Sequence, residues 1–320
     1  MKEKDILNAM THVKDEHIAA AAPTGKKSPR RMSIRAVSLV ACLCVCVCTL
    51  FVIAPWRDRT PDVLRPTISE DGVTIPPLEI TLNRDIGMMS DMIGFFIYGG
   101  RVYTHYMHVN ATDMVGEYVG TSTGMIDEWT KEDGYVDFAG SIGGDFYTVK
   151  GYDPSFMLCM TDGNTATLYI NNNGMTLKTG ADLYEDRLHL KGNILRVEAE
   201  TRESWYLTQL KVMEIGDEYR ETIDRFVDAL YAAPFMISSD IPLAEGQSSI
   251  YDALEIYHLY LYTADSVPVH LRLFRGGYVI LQGMFDVCVY VEGDAFDDLI
   301  RMLDQHAAKY AKYEASIPTS

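Results

Sequence analysis

VPVHLRLFRGGYVILQ, residues 267–282, reads as two strands and the turn between them. Branched, aromatic and aliphatic residues fill Val267–Phe274 and Tyr278–Gln282, and Arg275-Gly276-Gly277 supplies what a chain reversal needs. The pattern continues outward. His258–Tyr262 on one side and Val287–Val291 on the other share the same short, β-rich character, so four successive strands predict an antiparallel meander. Two helices bracket it. In 217–232, Tyr219, Ile223, Phe226, Val227, Leu230 and Tyr231 recur at helical spacing until Pro234 ends the run. A second helix is expected from Asp294, with Asp297 as a capping-type partner and an apolar face of Phe296, Leu299, Ile300, Leu303, Ala307 and Tyr310. Helix, meander, helix over residues 214–320 predicts an α+β module with helices on one face of an antiparallel sheet.

Upstream, residues 78–213 read as predominantly β. Phe95–Tyr98 and 101–106 flank Gly99-Gly100, a hairpin signal. Further strands are expected at Asp145–Val149, Phe156–Met160 and Thr165–Ile170, with a turn at Asn171–Gly174. A strand pair is expected over Ile194–Glu198 and Ser204–Leu210, and residues 181–190 are ambiguous, with a short helix as one reading. Pro61, Pro66, Pro76 and Pro77 mark residues 56–77 as a semi-rigid spacer.

Before the spacer stands AVSLVACLCVCVCTLFVIA, residues 36–54, nineteen residues without a charge. As a helix it spans roughly 28 Å, close to the hydrocarbon thickness of a bilayer. A helix satisfies its own backbone in lipid, so residues 36–55 are expected to be a transmembrane helix. Lys26, Lys27, Arg30, Arg31 and Arg35 precede it, which favours a cytoplasmic N-terminus and an extracytoplasmic remainder; Trp56 fits an interfacial anchor. A signal peptide would start its apolar core sooner and end in small residues, whereas this run ends in Ile53-Ala54-Pro55-Trp56, which favours an uncleaved anchor. Leu39-Val40-Ala41-Cys42 matches a lipobox, but its cysteine lies near the start of the apolar run rather than at its end.

The whole chain carries a net charge of −17, yet residues 1–56 hold eight Lys or Arg against four Asp or Glu. The acid excess therefore belongs to residues 57–320, which argues against nucleic acid as a partner. Residues 1–35 divide into a short helix and a basic linker. Ile6, Leu7, Met10 and Val13 form one narrow apolar stripe on an otherwise charged helix, too short to be stable alone and so either frayed or completed by a partner.

No residue set recommends itself for catalysis, for a cofactor or for a metal. Cys42, Cys44, Cys46 and Cys48 alternate within the apolar run, and residues two apart on a helix do not converge on one ion. Cys159 and Cys288 remain, as a disulfide or as two thiols. Gly120-Thr121-Ser122-Thr123-Gly124 fits the nucleophile-elbow pattern, but the surrounding sequence lacks βαβ units, and a Gly/Ser/Thr loop is the simpler reading; an exported hydrolase using Ser122 is the minor alternative. His105 and His108 are three apart, a spacing that points opposite ways on a strand. Tyr257, Tyr260 and Tyr262 alternate with apolar neighbours and are expected to pack on the sheet.

Several phrases together resemble a set of single-pass membrane proteins of Gram-positive bacteria. They are the opening EKDILNAM with DEHIAAAAP, the Cys-rich span, FYTVKGYDPS at 146–155, RLHLKGN at 187–193 and VHLRLFRGGY at 269–278. Many of that set look like membrane partners of sigma factors. The resemblance implies a cytoplasmic sigma factor held by residues 1–35 through Ile6, Leu7, Met10 and Val13, and an extracytoplasmic sensory or interaction domain. The chain has no H-x-x-x-C-x-x-C zinc motif in its first 35 residues. A membrane-anchored binding protein without a cytoplasmic partner is the other reading.

Overall fold

The expected meander is present. The computed structural model describes residues 65–77, 94–124, 137–138, 140–209 and 211–316. The segment 1–35 and the apolar run 36–54, and with them the expected transmembrane helix, lie outside these residues. No helix among the described residues is long and apolar enough to cross a membrane.

Sixteen strands among the described residues make three antiparallel sheets. The first holds β1 (Thr67–Ser69), β2 (Gly72–Ile75) and β9 (Met175–Leu177) in that order. The second is formed by β3 (Phe95–Tyr98), β4 (Arg101–Val109), β5 (Val115–Thr123), β6 (Gly143–Val149), β7 (Met157–Thr161) and β8 (Ala166–Ile170), ordered β3-β4-β8-β7-β6-β5. The third runs β11-β10-β13-β14-β15-β16-β12, from β10 (Ile194–Thr201), β11 (Met213–Ile215), β12 (Phe235–Ile237), β13 (Glu255–Thr263), β14 (Val269–Phe274), β15 (Tyr278–Leu281) and β16 (Val287–Tyr290). Helices Arg220–Ala232 and Asp294–Ser316 bury Ile223, Phe226, Leu230, Phe296, Leu299 and Leu303 in one cluster with Val197, Leu259, Leu271 and Val289 of the third sheet. This is the predicted α+β arrangement.

Turn chemistry fixes the hairpins. Gly99 and Gly100 both have positive φ (58° and 71°), the two-residue reversal that matches strand twist. At Gly277 (φ 94°) a Cβ would stand 2.5 Å from the Val291 carbonyl oxygen, so only glycine fits between β14–β15 and the chain leaving β16.

Three expectations change, and one open reading resolves to a short helix. The spacer 56–77 contains the β1–β2 hairpin, because Thr67, Ile68 and Ser69 pair Thr74, Val73 and Gly72, and Val73 and Ile75 reach the core. Residues 204–209 of the strand expected at 204–210 are not a strand. Thr201 caps a helix at Arg202–Tyr206, its side chain accepting from the Ser204 amide, and this local cap turns the chain where strand propensity alone would extend it. The ambiguous 181–190 stretch opens with a wide helical turn, Ala181–Glu185, and buries Leu183, Tyr184, Leu188 and Leu190. The boundary expected between 78–213 and 214–320 cuts through the third sheet, since β10 pairs β13 over seven residue pairs from Ile194↔Thr263 to Thr201↔Tyr257. Residues Asp62–Ser320 accordingly cluster as one unit.

The sheets are stitched together. Phe235 N donates to Lys178 O (3.0 Å) and Gly180 N to Ala233 O (2.8 Å), joining the edge strand β12 to the chain leaving β9. Between the second and third sheets, Tyr106 Oη donates to Pro268 O and accepts from His270 N, both at 3.1 Å. Asp265 takes Tyr152 Oη at 2.9 Å and Asn193 Nδ2 at 3.2 Å.

Candidate functional site

The residues expected to bind a partner, Ile6, Leu7, Met10 and Val13, lie outside the described residues. Ser122 does not sit on a loop or an elbow. It is within β5 at 2 % exposure, and its Oγ accepts from the Gly124 amide. Cys159 and Cys288 are separate free thiols on β7 and β16. Burial pushes the first up to about 11; burial, with the charge of Asp240, pushes the second up to about 12.

The chemically densest place is the face of the third sheet turned away from the two long helices. Strand alternation sends Glu198 and Glu200 of β10, His258, Tyr260 and Tyr262 of β13, and His270 and Arg272 of β14 to that side. Cross-strand register sets Glu200 beside His258 and His258 beside Arg272, while Glu198, Tyr260 and His270 form the next row. Glu255 joins them because β13 is bulged between Glu255 and Tyr257, which turns two residues three apart to the same side.

Glu200, Glu255, His258, His270 and Arg272 are all buried. Arg272 grips Glu255 with two hydrogen bonds, Nε to Oε1 at 2.5 Å and Nη2 to Oε2 at 2.9 Å. His258 Nδ1 and His270 Nε2 share a hydrogen bond of 2.8 Å. The other ring nitrogen, His258 Nε2, lies 3.2 Å from Glu255 Oε1, near enough to feel its charge but not aligned for a hydrogen bond. Glu200 accepts from Tyr260 Oη at 2.7 Å and Ser204 Oγ at 3.0 Å. Tyr262 donates to Glu198 at 2.8 Å, and on the opposite side of the sheet Tyr257 donates to Asp304 at 2.8 Å. The three tyrosines thus do more than pack: each delivers its hydroxyl to a carboxylate.

A cover of aromatic rings closes this face. The Arg202–Tyr206 helix stacks Trp205 on His258, centroids 4.4 Å apart and planes 13° from parallel. Tyr251, Trp205 and Phe285 surround the Arg272 guanidinium at 4.5–5.7 Å from their ring centroids. Arg202 ties the cover down, donating to Tyr251 O at 2.6 Å and to Asp252 at 2.8 Å.

The electrostatics follow from this packing. Burial would raise the Glu255 carboxyl, but the facing His258 and Arg272 outweigh it and hold it down at about 2. Burial, reinforced by the charges of His258 and Arg272, pushes His270 well below the ordinary histidine range, so its ring is neutral. Burial raises the Tyr260 hydroxyl, and the hydrogen bond and charge of Glu200 raise it further, keeping it a donor. The constellation stores fixed charge and specifies side-chain positions. Among the described residues no group of three or more His, Cys, Asp or Glu is placed to hold a metal ion.

No protein-family model matches the chain, and no curated protein or solved structure matches it either. The reading of function therefore rests on the chain's own chemistry.

The sequence carried one signal for the buried ionic face that a period-two reading passes over. His258, His270 and Arg272 alternate with leucine and valine, which in an antiparallel strand reads as a solvated side. The aromatic-rich turn RESWY at 202–206 and the aromatics Tyr251 and Phe285 are what cover that side.

Proposed function

We propose that this protein is a single-pass membrane regulator. Residues 1–35 lie in the cytoplasm, residues 36–55 cross the membrane, and Asp62–Ser320 forms an extracytoplasmic sensory or interaction domain. Its N-terminal helix holds a cytoplasmic sigma factor by burying Ile6, Leu7, Met10 and Val13. The observation that carries the reading is the order of parts along the chain. A basic linker meets nineteen uncharged residues, and the compact folded unit begins at Asp62, just beyond them. The strongly acidic character of that unit supports a place away from anionic lipid and nucleic acid.

Photo-crosslinking from position 10 of the full-length protein in cells, with mass spectrometry of the captured species, tests the cytoplasmic half. A sigma factor captured by the native chain and lost from Met10→Asp, with membrane insertion unchanged, is the expected result. Capture of insertion machinery and lipid alone would overturn it.

A second reading, a membrane-anchored binding protein, is favoured by one surface. Tyr206, Leu207 and Phe285 are 44 %, 59 % and 40 % exposed at the rim of the aromatic cover. In that case replacing residues 2–21 leaves intracellular associations unchanged, while Tyr206→Ser with Phe285→Ser abolishes capture of an extracellular ligand.

A further inference from the structure

His105 and His108 stand three apart on β4, where a regular strand would send them to opposite faces. A bulge between His105 and Met107 changes that. His105 pairs Tyr169 and His108 pairs Thr167, positions two apart on β8 and so on one face, although the two histidines are three apart along β4. Tyr106 and Val109 are buried on the other side, and both imidazoles emerge exposed on one face. Their ring centroids lie 4.9 Å apart.

That separation has a specific meaning. A metal ion sits about 2.0–2.1 Å from an imidazole nitrogen, hence about 3.2 Å from the ring centre. Two imidazoles on one ion at angles of roughly 90–109° then have centres about 4.5–5.2 Å apart, and the observed spacing falls inside that interval. The second requirement is orientation. His108 Nδ1 is hydrogen-bonded with Thr167 Oγ1 at 2.8 Å, which fixes the ring and leaves Nε2 as the nitrogen that can ligate, the arrangement by which outer hydrogen bonds orient ligating histidines. Tyr169 braces His105 edge-on, with centroids 6.1 Å apart. The acid excess of the chain raises the local concentration of cations.

We propose that His105 and His108 form a two-imidazole site for a late first-row divalent cation of the nickel, copper or zinc kind, with water completing the coordination. Imidazole nitrogen suits these ions and not calcium or magnesium, whose ligands are oxygens. Nothing in the site is redox-active on the protein side, so binding releases at most the protons held by the two rings.

Isothermal titration of the full-length chain, purified in detergent without a histidine tag, with Ni2+ tests the proposal, the ion being chosen to avoid copper-driven oxidation of Cys42–Cys48. The difference between the native chain and His105→Gln/His108→Gln isolates this site from any other, since both side chains are exposed and their loss leaves the fold intact. One Ni2+ per chain lost in the double variant is expected, with each single variant weakening that binding at least about tenfold. Thr167→Val, which frees the His108 ring, weakens it by about 10–100-fold. Ni2+ uptake identical in the native and double-variant chains overturns the proposal, as does binding unaffected by either single substitution.

Discussion

The two faces of the third sheet are built from the same strands and obey opposite rules. On the helix side Val197, Leu259, Leu261, Leu271, Leu273 and Val289 bury aliphatic surface, and any one of them shares its neighbourhood with many others. On the far side Glu255, Arg272, His258 and His270 are buried just as completely, but each depends on a particular partner at a particular angle. Apolar packing degrades gradually when one group is trimmed, because the remaining contacts survive. A buried ionic set fails when one member is removed, because the charge left behind has no solvent and no partner.

Substitutions can break the comparison. Arg272→Met strands Glu255 and is expected to cost about 3–5 kcal/mol in urea denaturation. Adding Glu255→Leu to it should recover at least half of that loss, since the orphaned charge is then gone; no recovery would mean that the face is held by shape rather than by charge. Leu271→Ala on the helix side is expected to cost about 3 kcal/mol by the same measurement, and pairing it with Glu255→Leu on the other face should give a larger loss than either alone. Tyr260→Phe removes one donor to Glu200 and leaves the ring, for an expected loss of about 2 kcal/mol.

The smallest effect separates the faces by pH. His270 is held neutral, with its pKa below the unfolded value, so its contribution is complete above the unfolded value near 6.5 and declines as pH falls below it. Lowering the pH from 6.5 to 5.5 should cost roughly 1 kcal/mol, and His270→Asn should flatten that part of the stability curve while leaving the helix side unaffected. Glu255 acts lower: its contribution is present above the unfolded carboxyl value near 4.5 and disappears as pH falls toward about 2. A stability curve flat from pH 7 to 5 in the native chain would contradict the neutral buried ring.

Much of the third sheet was legible. The helices beginning near Asp217 and Asp294 and the four strands of the meander follow from periodicity and glycine-marked turns, which are local signals. Non-local pairing was not: nothing in Ile194–Thr201 says that it will lie between β11 and β13. Bulges were equally hidden. Both constellations of interest, Glu255 with His258 and His105 with His108, are residues three apart on a strand that share a face only because one extra residue is accommodated in between. A period of two assigns each pair to opposite sides, and the energetic reason for the exception lies in the neighbouring strand.

The placement of β10 also dictates an order of events. Its partner β13 is made only after the whole stretch from Arg202 to Leu254 has followed it, and β9 must find β2 across an even longer interval. Local hairpins close first and long-range pairings wait on loop closure, so the meander β13–β16 can assemble as a nucleus onto which β10 docks late. A chain interrupted before Glu255 would leave Glu200 and the apolar side of β10 without β13, the strand that shields them, a species prone to capture by chaperones and proteases.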